Sequence, residues 1–132
     1  MGKATTGAEQ MSHITISLPW PDASLFPNRS NGKHWSQRQP AKSAAKLLAR
    51  AASYDLVLPN VDTDHAIKII VAPPDKRRRD VDGILSALKP SLDSIAEVLR
   101  IDDVHFNPIE IVRVDPVESG NVTIVIDDGI PF

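Results

Sequence analysis

The chain has 132 residues, 42% of them hydrophobic and 24% charged, with 15 Lys and Arg against 17 Asp and Glu for a net charge of −2. That length suits one domain around a single core, and the apolar share is that of a globular protein, which excludes wholesale disorder. There is no cysteine, which removes disulfides, thiolate nucleophiles and cysteine zinc sites; no apolar run approaches the roughly 18 residues of a membrane span and Met1 to Gln10 lacks the apolar core of a secretory signal, so a soluble, cytoplasmic protein is expected.

Residues 1–11 show no hydrophobic periodicity and read as a disordered tail ahead of one domain, residues 12–132. From His13 to Leu18 the apolar Ile14, Ile16 and Leu18 alternate with His13, Thr15 and Ser17, the period of a half-buried strand, which Pro19-Trp20-Pro21 ends. Asp22 to Gly32, with Pro27, Asn28 and Asn31, reads as a loop. Gln39 to Ser53 is rich in Ala, Leu, Lys and Arg and predicts a helix with Pro40 in its first turn and Ala44, Leu47, Leu48 and Ala51 on its apolar face. Arg38, Lys42, Lys46 and Arg50 are each four apart, so they form one basic ridge on that helix.

Ala66 to Ala72 reads as a buried strand closed by Pro73-Pro74. Gly83 to Leu99 places Ile84, Leu85, Leu88, Leu92, Ile95, Val98 and Leu99 at helical spacing, with Pro90 either kinking one helix or starting a second. Ile109 to Val114 and Val122 to Ile126 alternate again as strands, joined by a turn over Val117 to Asn121. The order β-α-β-α-β-β predicts a single α/β or mixed α+β domain, with helices packed on a mixed sheet.

The charges are unevenly placed. Between Leu25 and Tyr54 lie Arg29, Lys33, Arg38, Lys42, Lys46 and Arg50 without one acid, and adding Lys76, Arg77, Arg78 and Arg79 puts ten of the fifteen cations in two short segments. A bipolar surface with a local positive field follows. The basic run leads straight into Asp80-Val81-Asp82, and Asp102-Asp103 follows the second helix. Hard carboxylate oxygens beside cations that hold phosphate compose a divalent-metal phosphodiesterase site. In extended chain Asp80 and Asp82 would face the same way. Blander readings stand beside this one: a solvated charged loop, Asp82 as a helix N-cap, and Asp102-Asp103 as a surface turn.

Four separated motifs resemble the RusA-like Holliday-junction resolvases of phages and prophages. They are Leu18-Pro19-Trp20-Pro21; Pro27-Asn28-Arg29 with His34-Trp35 before a basic helix; Arg78-Arg79-Asp80-Val81-Asp82-Gly83; and Asp102-Asp103 before the third strand. The likeness covers roughly residues 13–127 in element order. Two positions depart from the family pattern: Gly83 stands where Asn is usual, and Ser86 where a helix lysine is usual, with Lys89 one turn further on.

The resemblance implies a Mg²⁺-dependent endodeoxyribonuclease, with Mn²⁺ as a substitute ion, that resolves four-way junctions by paired phosphodiester hydrolysis in DNA recombination and repair. It implies Asp80, Asp82 and Asp103 as metal ligands, Asp102 in support, Lys89 and Arg79 near the scissile phosphate, and a homodimer matching the two-fold junction. For Lys89, an exposed lysine without a role is the other reading. DNA contacts are expected from Arg29, Lys33, Arg38, Lys42, Lys46, Lys76, Arg77, Arg78 and Arg79. No general base stands out; His34 and His105 read as structural, and His105 is also a candidate base. Trp35, Phe26 and Leu56-Val57-Leu58 suit either a dimer interface or the core. Alternatives are a flap or fork nuclease on the same residues, a non-catalytic binder of DNA structures, and a small interaction domain whose charges only solvate it.

Overall fold

The computed structural model describes residues 13–27, 35–59 and 61–127, without the side chains of residues 35–38. Four strands, β1 (His13–Leu18), β2 (His65–Ala72), β3 (Phe106–Arg113) and β4 (Asn121–Asp127), form one sheet in the order β1-β4-β2-β3. β4 is antiparallel to both β1 and β2, whereas β2 and β3 are parallel. The parallel pair needs a crossover, supplied by helix α2 (Val81–Leu99), while α1 (Trp35–Ser53) links β1 to β2. The chain is therefore one α+β domain with a mixed sheet, as the pattern of elements predicts.

The alternating strands bring Ile16 and Leu18, Ile67, Ile69 and Val71, and Val122, Ile124 and Ile126 into one core. Register places Ile124 beside both Ile16 and Ile69. Against them α2 lays Ile84, Leu88, Leu92, Ile95 and Leu99, a stripe recurring every three to four residues. Burying each such side chain contributes about 1.5–3 kcal/mol, so this layer contact holds the crossover in place. β3 pairs only with β2, and Phe106 is its one buried residue.

Both helices differ from their predicted outlines. α1 begins at Trp35, so Pro40 lies inside it and leaves the Ser36 carbonyl without its usual amide partner. Its buried side is Ala49 and Ser53, flanked by half-buried Ala45 and Ala52, whereas Leu47 and Leu48 are 68% and 50% exposed. Small side chains at the seam allow a close approach of the helices, and Ser94 Oγ of α2 donates to the Lys46 carbonyl at 2.9 Å. Leu48 instead borders a cavity of about 250 Å³ that Ala87, Leu88 and Ser91 of α2 also line. α2 is one continuous helix, with Pro90 buried inside it rather than starting a second.

α2 also starts at Val81, two residues earlier than its hydrophobic pattern suggests. Asp80 therefore occupies the N-cap position, without a side-chain capping bond, and Asp82 sits in the first turn. The N-cap role considered for Asp82 falls to its neighbour, and the two carboxylates do not share an extended segment. At its other end α2 closes on Arg100 in the left-handed region (φ 61°), where the Ile101 amide donates to the Ala96 carbonyl at 3.0 Å.

Candidate nucleic-acid interface

The segment between β2 and α2 is tied down from within. The Asp75 carboxylate accepts from the Arg77 amide at 2.9 Å and from Arg79 Nη2 at 2.9 Å. The Arg77 amide first, and then Arg79, hold this carboxyl below its ordinary value. Arg79 Nη1 donates to the carbonyls of Asp75 and Arg77, and the guanidinium lies over Trp20, 5.2 Å from the ring centroid. Arg113, at the end of β3, donates to the Arg79 carbonyl at 2.8 Å. Arg79 thus fastens this loop to the Pro19-Trp20-Pro21 corner instead of presenting its charge to solvent.

Beside it runs a groove of about 720 Å³, lined among others by Trp20, Phe26, Pro74, Arg77, Arg78 and Asp80. A second pocket, of about 260 Å³, opens at the seam of the helices, where Lys42 and Lys46 of α1 meet Ser86 and Lys89 of α2. Lys42 and Lys46 of the basic ridge thus flank the α1–α2 contact. The last member of the ridge, Arg50, pairs with Glu97 of α2 at 3.2 Å, so an acid distant in sequence does partner the ridge.

Lys89 reaches both Asp93 Oδ1 and Asp103 Oδ2 at 3.0 Å. Its ammonium is held above the ordinary lysine value by Asp103 and then Asp93, and Asp103 is held below the ordinary carboxylate value by Lys89. Asp102 Oδ1 accepts from the Val104 amide at 3.1 Å and caps the short 3₁₀ turn Asp103–His105. Asp82 Oδ1 accepts from the Gly83 amide at 3.1 Å.

The expected return of the chain to a third metal ligand does not occur within one molecule. A helix joining parallel strands carries the chain back to the opposite end of the sheet. Asp80 adjoins the Arg79 carbonyl held by the last residue of β3, whereas Asp103 lies three residues before its first. Asp103 binds Lys89, which lies seven residues and about 10 Å of helix beyond Asp82. Among the described residues no three His, Asp or Glu side chains form a group able to hold a metal ion. Asp80, Asp82 and Asp103 as placed here therefore do not fit one divalent ion.

Asp64 and Asn107 carry contacts that sequence reasoning missed. Asp64 Oδ1 lies 3.0 Å from His105 Nδ1, and Asn107 Nδ2 donates to Asp64 Oδ2 at 3.0 Å. His105 and then Asn107 hold the Asp64 carboxyl below its ordinary value. His105 is accordingly oriented by a carboxylate, and only the parallel pairing of β2 with β3 brings these residues together. Of the expected interface, Phe26 lines the groove, Val57 is 78% exposed and Leu58 is core. Arg29, Lys33 and His34, and the side chains of Trp35 and Arg38, lie outside the described residues, as do residues 1–11. Lys76 is exposed in the loop. No helix among the described residues is long and apolar enough to cross a membrane.

No model of a known protein family matches the chain. An uncharacterized protein of Xylella fastidiosa is 32% identical over 127 residues, spanning 93% of this chain and 80% of that protein. The chain belongs to the same family as that protein. The matched length makes the likeness one of nearly the whole chain rather than of one motif.

Proposed function

We infer that the protein binds branched DNA and is a structure-selective endodeoxyribonuclease of the RusA-like kind, hydrolysing phosphodiester bonds at four-way junctions as a homodimer in the cytoplasm of a bacterial or phage-infected cell. The observation that carries this reading is the meeting of Lys42, Lys46 and Lys89 from two helices in one pocket. Lys89 is already held by Asp93, which lines the same pocket, and by Asp103, whereas Lys42 and Lys46 have no ion-pair partner among the described residues, so these two α1 lysines are the cations available to a phosphate. The exposed Arg77 and Arg78 extend the positive surface along the neighbouring loop. The four motifs in family order add the nuclease class and the Mg²⁺ dependence to the proposal.

A non-catalytic binder of DNA structures is the second reading. It is favoured by the separation of Asp80 and Asp82 from Asp103 and by the engagement of Asp103 with Lys89. A labelled four-way junction incubated with the protein, with and without Mg²⁺, distinguishes the two. Paired nicks that need the ion support the nuclease; binding without nicks under both conditions supports the binder; absence of binding overturns both. Forks and flaps as competitors test the preference for the junction.

A further inference from the structure

Phosphate contact alone does not account for the composition of the larger groove. The half-buried rings of Trp20 and Phe26 are stacked, with centroids 5.9 Å apart and 22° between their planes. Arg79 covers Trp20 but is itself bonded to Asp75 and to two carbonyls, so it stiffens the aromatic pair and does not compete for a ligand. Arg77 and Arg78 are exposed at the same groove, and among the described residues neither guanidinium has a hydrogen-bond partner. The cavity of about 720 Å³ falls within the roughly 300–1,000 Å³ of sites that enclose a small organic ligand.

Rigid aromatic surface next to two guanidinium groups free of hydrogen bonds among the described residues matches a nucleobase and its phosphate, with the Asp75 carboxylate near Arg77 and Asp80 at the groove edge as the acids of the same lining. A paired base has both faces covered by its neighbours in the stack, whereas an unpaired base exposes them and can stack on a side chain. We propose that the groove formed by Trp20, Phe26, Arg77 and Arg78 is a binding site for an unpaired nucleotide of a DNA strand, the base against the ring pair and the phosphate on the two arginines. This rests on the DNA-binding reading above and adds to it a preference for the state of the strand. The lysine pocket on the helix seam, which contains no aromatic residue, holds backbone phosphates irrespective of pairing.

The test measures binding of the full chain to three labelled probes by fluorescence anisotropy: a short oligothymidine, an abasic oligomer of equal length and a duplex of equal length. Oligothymidine should bind about tenfold more tightly than the abasic strand, the scale of one stacked base. Phe26→Leu should bring its affinity down to that of the abasic strand, Phe26→Tyr should keep the preference, and replacing Arg77 and Arg78 by Ala should weaken both single strands alike. Equal affinity of wild type for thymidine and abasic strands, or an undiminished preference in a folded Phe26→Leu, overturns the proposal. A duplex that competes as well as oligothymidine also overturns it. Junction binding retained alongside such a result leaves the DNA reading standing; loss of binding to every probe and to the junction ends both.

Discussion

Gly120 shows how a missing methyl group positions a site a hundred residues away in the chain. Its φ is +72°, and a Cβ there would meet Trp20 Cβ at 2.8 Å and Pro74 Cδ at 3.0 Å. Left-handed backbone costs a non-glycine residue about 1–2 kcal/mol before any clash, so Gly120→Ala should destabilise the protein by more than about 2 kcal/mol in denaturant unfolding and shift Trp20 emission. By contrast a Cβ at Gly83, where the resemblance expects Asn, would meet nothing within 4 Å, so that departure follows from no crowding. Asp75 sets a second, pH-dependent restraint on Trp20. Because its folded value is lowered below 3.8, its contribution is complete above that pH and is lost as pH falls through the lowered value. In a Trp35→Phe background, emission from Trp20 should therefore change on acidification below about pH 3.8, and Asp75→Asn should remove that step.

At the scale of elements, period and composition foretold each strand and both helices, but not which side of α1 is buried. Its leucines suggested one face; close packing on α2 selected Ala45, Ala49, Ala52 and Ser53 instead, leaving Leu47 exposed. That rotation carries Lys42 and Lys46 to the helix seam beside Lys89. Reversing Lys42 and Lys46 to Glu should weaken junction binding and make its salt dependence shallower, since each lost phosphate contact removes a slope of about 0.9 in log affinity against log salt. Titration of junction DNA at several salt concentrations checks this; unchanged affinity and slope would reduce the ridge to a solvated flank. The end of α2 offers a stability test that leaves the pockets alone. Arg100→Gly relieves a left-handed residue and should raise stability by about 0.5–1 kcal/mol, the relief exceeding the added freedom of the unfolded chain.

For the molecule as a whole, the carboxylates are the sharpest question, because the crossover places Asp82 and Asp103 toward opposite ends of β3. Under the nuclease reading Asp82→Asn and Asp103→Asn should each abolish junction cleavage while leaving binding within a few fold. Quantified nicking beside anisotropy measures both quantities, and full cleavage by both variants would remove these residues from the chemistry. Asp103→Asn should in addition lower the Lys89 ammonium toward its ordinary value of 10.5, detectable by NMR titration.

By itself the sequence determined what depends on neighbours a few residues apart: the strand periods, the helical stripe of α2, the glycine turn before β4, the two cationic segments and the order of elements that makes an α+β domain. Those features arise from backbone preference and side-chain spacing, which are written locally. Only the tertiary structure decided that Asp103, fourteen residues beyond Lys89, is its ion-pair partner, and that His105 meets Asp64 across forty-one. It likewise decided that Arg79 serves Trp20 rather than solvent. Such contacts follow from sheet register and from which helix face packs tightest, and both are settled by the collective fit of the core, in which many side chains must be buried at once.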